Sequence, residues 1–527
     1  MYKVVIPSAG LGSRVAAHSP NINKALITIG NKPVISHVID KFKKDVEIVV
    51  LLGHHGSYVR QSLEAIYPDR KISFVDVELY QGEGSGLGLT LGCAEHLLQC
   101  PFIFISNDTI IPDEVIDLDP NITGNWMAYY TATKADSFNT SVYRTVEIDN
   151  GVVTNINPKG IVCPNIYVGL CGVKDYDGFW KSMDNPRAIP VGESYGLKFL
   201  NNIKAIPVPS WCDTGNVESL LKTRELLETH EFNIVHKNDE AIWFYDNRVI
   251  KFSVDDKFIA DRVKRLQGLG NQIFPSLIHV DKNLYVYNRI VGDVVSKTLN
   301  GTNVIDILDF AKKEMWDNTS NATPELVEAC YSFYRDKTFK RVQQFFDVFE
   351  CVDTVDTING VTIPPMYVLL NRVDWRDLCD HPHASKYHGD FHNENILVTP
   401  SGNPMLIDWR QNFGYDNLDI GDAYYDFAKF MHGLIVSHHQ ILCNHFTVER
   451  DSSNNITIDI LRPHRLVEAE ETFVKWLKEN NYDASRVRLL TALIFLNIAA
   501  LHEYPYSLYL FYLGKHLLNK YLVSTLS

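Results

Sequence analysis

The sequence predicts two α/β units in tandem, the first built on a mostly parallel sheet and the second on a small sheet followed by a largely helical body. Three observations carry this. Short β-branched runs at residues 4–7, 48–52 and 102–106 alternate with amphipathic helical patterns at 33–41 and 57–66, and strands that alternate with helices imply βαβ crossovers and a parallel sheet. A charged helical pattern over 218–231 closes that series, and new strand patterns begin at 241–245, 248–252 and 284–287. From about Asp306 the pattern is mainly helical, interrupted over 387–408. At 527 residues the chain is too long for a single core. The expected units are 1–231 and 232–527, with no internal repeat and no low-complexity linker to mark the junction.

Composition narrows the function class. Hydrophobic residues make up 45% and charged residues 22%, so each half can bury a core of its own. The formal net charge of −14 argues against nucleic acid or an anionic membrane as the main partner, since both need basic surfaces. Small phosphorylated ligands remain compatible, because a few local cations suffice for them. The nine cysteines are scattered, with no C-x-x-C pair, which fits a reducing compartment rather than a disulfide framework or a zinc site. The opening Met1-Tyr2-Lys3-Val4-Val5-Ile6 runs straight into a strand pattern and leaves no room for a signal peptide. The apolar stretch at 489–501 contains Asn497, is too short to span a bilayer and reads as a core helix. A cytoplasmic enzyme of soluble metabolites is the expectation, with homo-oligomerisation left open.

The first chemical signal follows the first strand: Ala9-Gly10-Leu11-Gly12-Ser13-Arg14, then Asn23-Lys24-Ala25-Leu26. A Gly-rich turn there lets backbone N–H groups approach a phosphate chain, with Arg14 and Lys24 as its counter-charges. Two other readings stand beside this one. A dinucleotide fingerprint would need a third glycine, but position 15 is Val15; a plain tight turn with solvated cations would look the same.

Together with Asn31-Lys32-Pro33-Val34-Ile35, these motifs resemble the opening signature of the sugar-phosphate nucleotidyltransferase family. That resemblance implies a Rossmann-like nucleotidyltransferase domain, which transfers a nucleoside monophosphate from an NTP (CTP, UTP, GTP or dTTP) to a phosphorylated acceptor. It implies nucleotide contacts at Ala9, Gly10, Gly12, Gln81 and Gly86, the last two within Gln81-Gly82-Glu83-Gly84-Ser85-Gly86-Leu87. It implies Mg²⁺ on Asp108 of Ser106-Asn107-Asp108 and on Asp213 of Trp211-Cys212-Asp213-Thr214-Gly215. Lys159 stands where the family's acceptor-phosphate lysine falls, although Asn157-Pro158-Lys159-Gly160 departs from the usual Glu-Lys-Pro. Glu193 and Tyr195 stand in a segment like the family's sugar side. Because an acceptor phosphate is already a nucleophile, the chemistry needs no general base; Mg²⁺, Arg14 and Lys24 relieve the repulsion between anions.

The second signal is His388-Gly389-Asp390-Phe391-His392-Asn393-Glu394-Asn395, followed by Leu406-Ile407-Asp408-Trp409. Asp390 can orient or accept the proton of a substrate hydroxyl, while Asn395 and Asp408 hold Mg²⁺ against ATP phosphates. His-Gly-Asp and the later Gly421-Asp422-Ala423-Tyr424-Tyr425-Asp426-Phe427-Ala428 resemble the aminoglycoside phosphotransferase and choline kinase superfamily. This implies a bilobal, protein-kinase-like α+β domain, with Lys251 of Val249-Ile250-Lys251-Phe252 as the lysine that reaches ATP. A glycine-rich phosphate loop is absent between His236 and Asn247, and Asp261 is the candidate acidic partner of Lys251.

Taken together, the two halves imply a bifunctional enzyme. ATP phosphorylates a small alcohol, a sugar or polyol, and an NTP then converts the product into an NDP-activated precursor for surface polysaccharide. The alternative acceptor is choline or another amino alcohol, paired with CTP. An alternative of another class is that one domain is inactive and regulatory.

Overall fold

The computed structural model describes residues 2–15, 20–112, 123–133, 139–227, 238–270, 273–452 and 455–524. It divides into two compact units, Met1–Ile259 with Leu277–Arg289, and Ala260–Ser276 with Ile290–Ser527. The expected junction at residue 231 lies outside the described residues.

The first unit is organised by a nine-stranded sheet. In chain order its strands are β1 (Lys3–Ser8), β2 (Glu47–Leu52), β3 (Ile72–Asp76), β4 (Phe102–Ile105), β5 (Trp126–Thr131), β6 (Thr145–Asp149), β7 (Val152–Asn157), β8 (Asn165–Val173) and β9 (Lys204–Pro207). Their spatial order is β3-β2-β1-β4-β8-β5-β9-β7-β6. The β3-β2-β1-β4 half is parallel throughout, whereas β8 runs antiparallel to both β4 and β5. Alternate side chains feed two separate apolar clusters: Val4 and Ile6 one, Val5 the other; Ile103 and Ile105 one, Phe102 and Phe104 the other. Both faces are therefore covered, which is why these strands read as unbroken hydrophobic runs rather than as alternating ones. Each such side chain contributes roughly 1.5–3 kcal/mol on burial, so the central strands form a firm base for the loops at their ends. Strand order reverses between β1 and β4, and in open α/β sheets ligands bind in the crevice that such a reversal opens at the carboxyl ends. The loops after β1 and β4 are those that carry Gly10 and Asp108.

The second series of strands packs against the same unit. Strands β10 (Glu240–Tyr245), β11 (Arg248–Ser253), β12 (Leu277–Asp281) and β13 (Leu284–Asn288) form an antiparallel sheet in the order β10-β11-β13-β12. Trp243, Ile250, Phe252 and Val286 belong to the same buried cluster as Val4 and Ile6. Polar contacts fix the docking: Trp243 Nε1 donates to Thr28 Oγ1 at 3.0 Å, and Phe244 N–H donates to Asn31 O at 2.7 Å. Arg248 donates to Ala65 O and Ile66 O at 2.9 and 2.7 Å. Those carbonyls end the helix Gly56–Ile66, where a cation is favoured.

The second unit is mainly helical, with Ala423–Ile435, His464–Glu479, Ala484–Ala499 and Tyr506–Ser524 among its longer helices. Ala484–Ala499 covers most of the stretch expected as a core helix and buries Leu490, Leu493, Phe495 and Leu496. Short strands frame the chemical loop: Ala384–Lys386 pairs with Ile420–Asp422, and Ile396–Val398 pairs with Pro404–Leu406. A further sheet, made from 356–363 and 446–460, was not expected from the sequence. Among the described residues no helix is long and apolar enough to cross a membrane.

Candidate active sites

In the first unit a cavity of about 630 Å³ opens at the crevice between β1 and β4. It gathers Ala9, Gly10, Arg14, Lys24, Gly86, Asp108, Lys159, Glu193 and Asp213 in its wall. Gly12, Gln81 and Tyr195 stand outside that lining. Gly12 has φ +65° and packs against Lys24, where an added Cβ would fall 3.3 Å from Lys24 Cβ. Gln81 is exposed, and the Tyr195 ring turns onto Phe199 at 5.2 Å. Gly86 has a packing role too, since a Cβ there would collide with the Ile189 carbonyl.

The two aspartates converge. A Cβ placed on Gly215 would lie 2.9 Å from Asp213 Oδ1, 3.0 Å from Asp108 Oδ2 and 3.6 Å from Arg14 Nη2. Asp108 Oδ2 also receives Lys24 Nζ at 2.9 Å, and its Oδ1 accepts from Ser106 Oγ. Burial would raise the Asp108 carboxyl, but Lys24 and the Ser106 hydrogen bond prevail and hold it at about 2. Asp213 accepts from Gly215 N–H at 2.8 Å, Tyr143 OH at 2.8 Å and Asn216 Nδ2 at 3.0 Å. Burial and the nearby charge of Asp108 push its carboxyl upward. Two hard oxygen donors that repel each other across one small space suit a divalent cation that also takes substrate phosphate oxygens, the habit of Mg²⁺. Among the described residues no group of three or more His, Cys, Asp or Glu is placed to hold a metal.

Around this pair stand Arg14, Lys24, Arg144 and Lys159. Lys159 is lowered by burial and then by the charges of Arg14 and Arg144. Glu193 is buried at 5% exposure, and burial raises its carboxyl to about 7. Among the described residues its Oε2 has no hydrogen-bond partner. Sequence reasoning missed Arg144 and Tyr143, which no local motif marks, and gave no role to Trp211, which opens the Asp213 motif; the Tyr143 and Trp211 rings pair at 5.1 Å beside Asp213.

In the second unit the loop around Asp390 is held from beneath. Asp426, on the helix Ala423–Ile435, accepts from His388 N–H at 2.6 Å and Gly389 N–H at 2.7 Å, and Trp316 Nε1 donates to it at 3.1 Å. His388 Nε2 lies 2.9 Å from Ile407 O, and its Nδ1 accepts from Asp390 N–H at 3.2 Å. The carbonyl contact makes Nε2 the protonated nitrogen. Burial lowers this imidazole to about 4, so it stays neutral. The buried guanidinium of Arg265 stacks on Tyr387 at 3.9 Å and donates to the carbonyls of Tyr387, His388 and Arg410.

Asn395 Nδ2 donates to Asp390 O at 3.0 Å and to Oδ2 at 3.1 Å. Ile407 N–H donates to Asn395 O at 2.9 Å, which ties the two predicted metal-binding positions together. Asp408 has φ 62°, a left-handed conformation uncommon outside glycine, and pairs with Arg262 at 2.8 Å. Asp390 is half-buried and pairs with Lys429 at 2.7 Å. Burial would raise Asp390, but Lys429 keeps it at about 2. Lys429 was missed; it lies three residues beyond Asp426 on one helix face, a spacing that offered a clue. The oxygens of Asn395 and Asp408 are again hard donors suited to Mg²⁺. Lys251 is buried on β11 in the first unit.

Residues 371–444 match the phosphotransferase enzyme family, a span that includes Asp390, Asn395, Asp408 and Lys429. The N-terminal region is similar to nucleotidyltransferases. One relative, the low-salt glycan biosynthesis nucleotidyltransferase Agl11 of Haloferax volcanii, is 31% identical over 120 residues, 22% of this chain and 33% of the relative. Another, the bifunctional protein GlmU of Methanococcus vannielii, is 26% identical over 113 residues, 21% of this chain and 26% of the relative. The chain thus spans a third or less of the length of these relatives. Among solved structures, the CTP:phosphocholine cytidylyltransferase LicC of Streptococcus pneumoniae aligns over 43% of this chain and 99% of its own, at 16% identity and a TM-score of 0.35. The chain thus has an N-terminal α/β region similar to nucleotidyltransferases and a C-terminal segment that matches the phosphotransferase enzyme family.

Proposed function

We propose that this chain is a bifunctional transferase which phosphorylates a small alcohol with ATP and joins the product to a nucleoside monophosphate, releasing pyrophosphate. The observation that carries the reading is the convergence of Asp108, Asp213 and Arg14 on one point of a cavity that also holds Lys24 and Lys159. In the first reaction Asp390 accepts the hydroxyl proton as the alcohol oxygen attacks the γ-phosphorus and ADP leaves. Lys429 keeps that carboxylate ionised, and Asn395 fixes its orientation. In the second the acceptor phosphate attacks the α-phosphorus, and the bond to pyrophosphate breaks. Arg14 and Lys24 offset the charge of the triphosphate, Lys159 takes the acceptor phosphate, and Glu193 Oε2 receives an acceptor hydroxyl. Bound Mg²⁺, held by Asp108 and Asp213 in one unit and by Asn395 and Asp408 in the other, would neutralise phosphate charge. Lys251 is assigned to ATP, and Ala9, Gly10 and Gly86 to the second NTP.

A sugar or polyol is the proposed acceptor, and the product an NDP-activated precursor for polysaccharide made in the cytoplasm. The glycan-biosynthesis name of the archaeal relative supports that setting. Asp108→Ala and Asp390→Ala, assayed in parallel for pyrophosphate and ADP, test the assignment. Each is expected to abolish its own reaction and spare the other; if neither lowers its own, the chain is not this enzyme. A matrix of NTPs against candidate alcohols and their phosphates, read by mass spectrometry, identifies base and acceptor.

A further inference from the structure

Beside the proposed catalytic aspartate of the second unit lies a set of cations that the phosphotransfer step does not use. Lys337 Nζ stands 4.2 Å from the centre of the Phe333 ring, and Arg410 Cζ stands 4.6 Å from the same centre. Arg410 is anchored at the chemical loop: its N–H donates to His388 O at 3.0 Å, and a Cβ on Gly389 would fall 2.5 Å from Arg410 Cβ. Among the described residues neither Lys337 nor Arg410 forms an ion pair, and the nearby Lys429 already has Asp390 as its partner.

This arrangement is costly as it stands. Two like charges that share one ring repel each other, and a ring contact offsets only part of that cost. Burial first, then the charges of Arg410, Lys429 and Arg341, lower the Lys337 amine to about 7, with Asp390 the opposing charge. A group in this position gains most from a negatively charged ligand.

We propose that the alcohol phosphorylated by the second unit carries an anionic group of its own, a carboxylate or a phosphate ester, recognised by Lys337 and Arg410 beside the Phe333 ring. The inference rests on the phosphotransferase reading of this unit and narrows its substrate class. A cationic acceptor such as choline would meet repulsion here. The same surplus of positive charge recurs in the cavity of the first unit, where Arg14, Lys24, Arg144 and Lys159 face Asp108, Asp213 and a Glu193 raised to about 7. A doubly anionic product would find counter-charges there too.

The test is site-resolved acylation of lysines in the full chain at pH 7.5 with trace acetic anhydride, read by mass spectrometry at constant ionic strength. The chain is loaded with Mg²⁺ and a non-hydrolysable ATP analogue, then given inorganic phosphate, gluconate or choline. Labelling of Lys337 is expected to fall at least five-fold with phosphate or gluconate, and the protecting anion tells a phosphate ester from a carboxylate. Choline and the nucleotide analogue alone should leave it unchanged, and the exposed Lys475 should respond to none. Lack of protection by both anions overturns the proposal. So does full protection by the nucleotide alone, which would assign the cations to the ATP phosphates. As a second measurement, equilibrium dialysis of radiolabelled phosphate against the nucleotide-loaded chain should show one bound phosphate fewer in Lys337→Met and its return in Lys337→Arg; equal binding by all three forms also sinks it. Failure of the phosphotransferase reading looks different: Asp390→Asn would leave ADP formation unchanged, whatever Lys337 does.

Discussion

Lys24 Nζ lies 2.9 Å from Asp108 Oδ2, so the lysine expected to meet a phosphate and the aspartate expected to meet a metal are each other's partners. The lysine and a bound cation would compete for the same carboxylate. Lys24→Met should therefore tighten Mg²⁺ binding in the absence of nucleotide, yet lower pyrophosphate release at least 100-fold. Isothermal titration with Mg²⁺ alongside a pyrophosphate assay checks both directions, and an unchanged rate would remove Lys24 from the site.

Glu193 gives a pH signature of known sign. In the native chain its carboxyl keeps a proton to about pH 7, whereas an ordinary glutamate loses it near 4.5. Between those values the native state binds more protons, so its stability falls as pH rises and then levels off. Glu193→Gln should remove that fall, which is worth on the order of 3 kcal/mol at most. Calorimetric Tm values for the two forms should agree near pH 4.5 and diverge toward pH 8, with the variant the more stable.

Lys429 sets the acid limit of the proposed phosphotransfer. With Lys429 in place Asp390 is held at about 2 despite its burial, so the reaction should keep its base ionised through mildly acidic conditions. Lys429→Met should shift the acid limb of kcat/KM for ADP formation to higher pH, without affecting pyrophosphate release. A superimposable profile would show that the ion pair is incidental.

Arg265 is the structural counterpart. Its buried guanidinium donates to three carbonyls around the Asp390 loop, and truncation leaves those acceptors unpaired inside the protein. Arg265→Met should cost about 1–3 kcal/mol for a buried acceptor left unpaired and lower the unfolding temperature of the second unit, measured by scanning calorimetry.

Trp243 tests how the small sheet is held. It is fully buried in the cluster that includes Val4 and Ile6. Trp243→Ala should cost about 3–5 kcal/mol and lower the temperature at which pyrophosphate release is lost.

The sequence displays these features unequally. The parallel strands were visible because burial on both faces leaves uninterrupted runs such as Val4-Val5-Ile6, and the observed Lys3–Ser8, Glu47–Leu52 and Phe102–Ile105 overlap the expected 4–7, 48–52 and 102–106 closely. Leu277–Asp281 was not visible, because it is an edge strand with His279 and Val280 exposed. The strands at 356–363 and 446–460 pair over a long stretch of chain that no local pattern encodes. In the sites, motif residues such as Asp108, Asp213 and Lys159 come together in one cavity. Arg144, Lys429 and Arg410 escaped notice because their roles exist only once separate elements meet. The docking of Trp243 onto Thr28 was equally hidden, since amphipathic strands do not announce which surface they will cover.

The chain passes between the two units three times, after Ile259, after Ser276 and after Arg289. No single cleavage point can then release both units whole. A gene split into two open reading frames would leave at least one unit with a segment encoded on the other half, whichever junction is chosen.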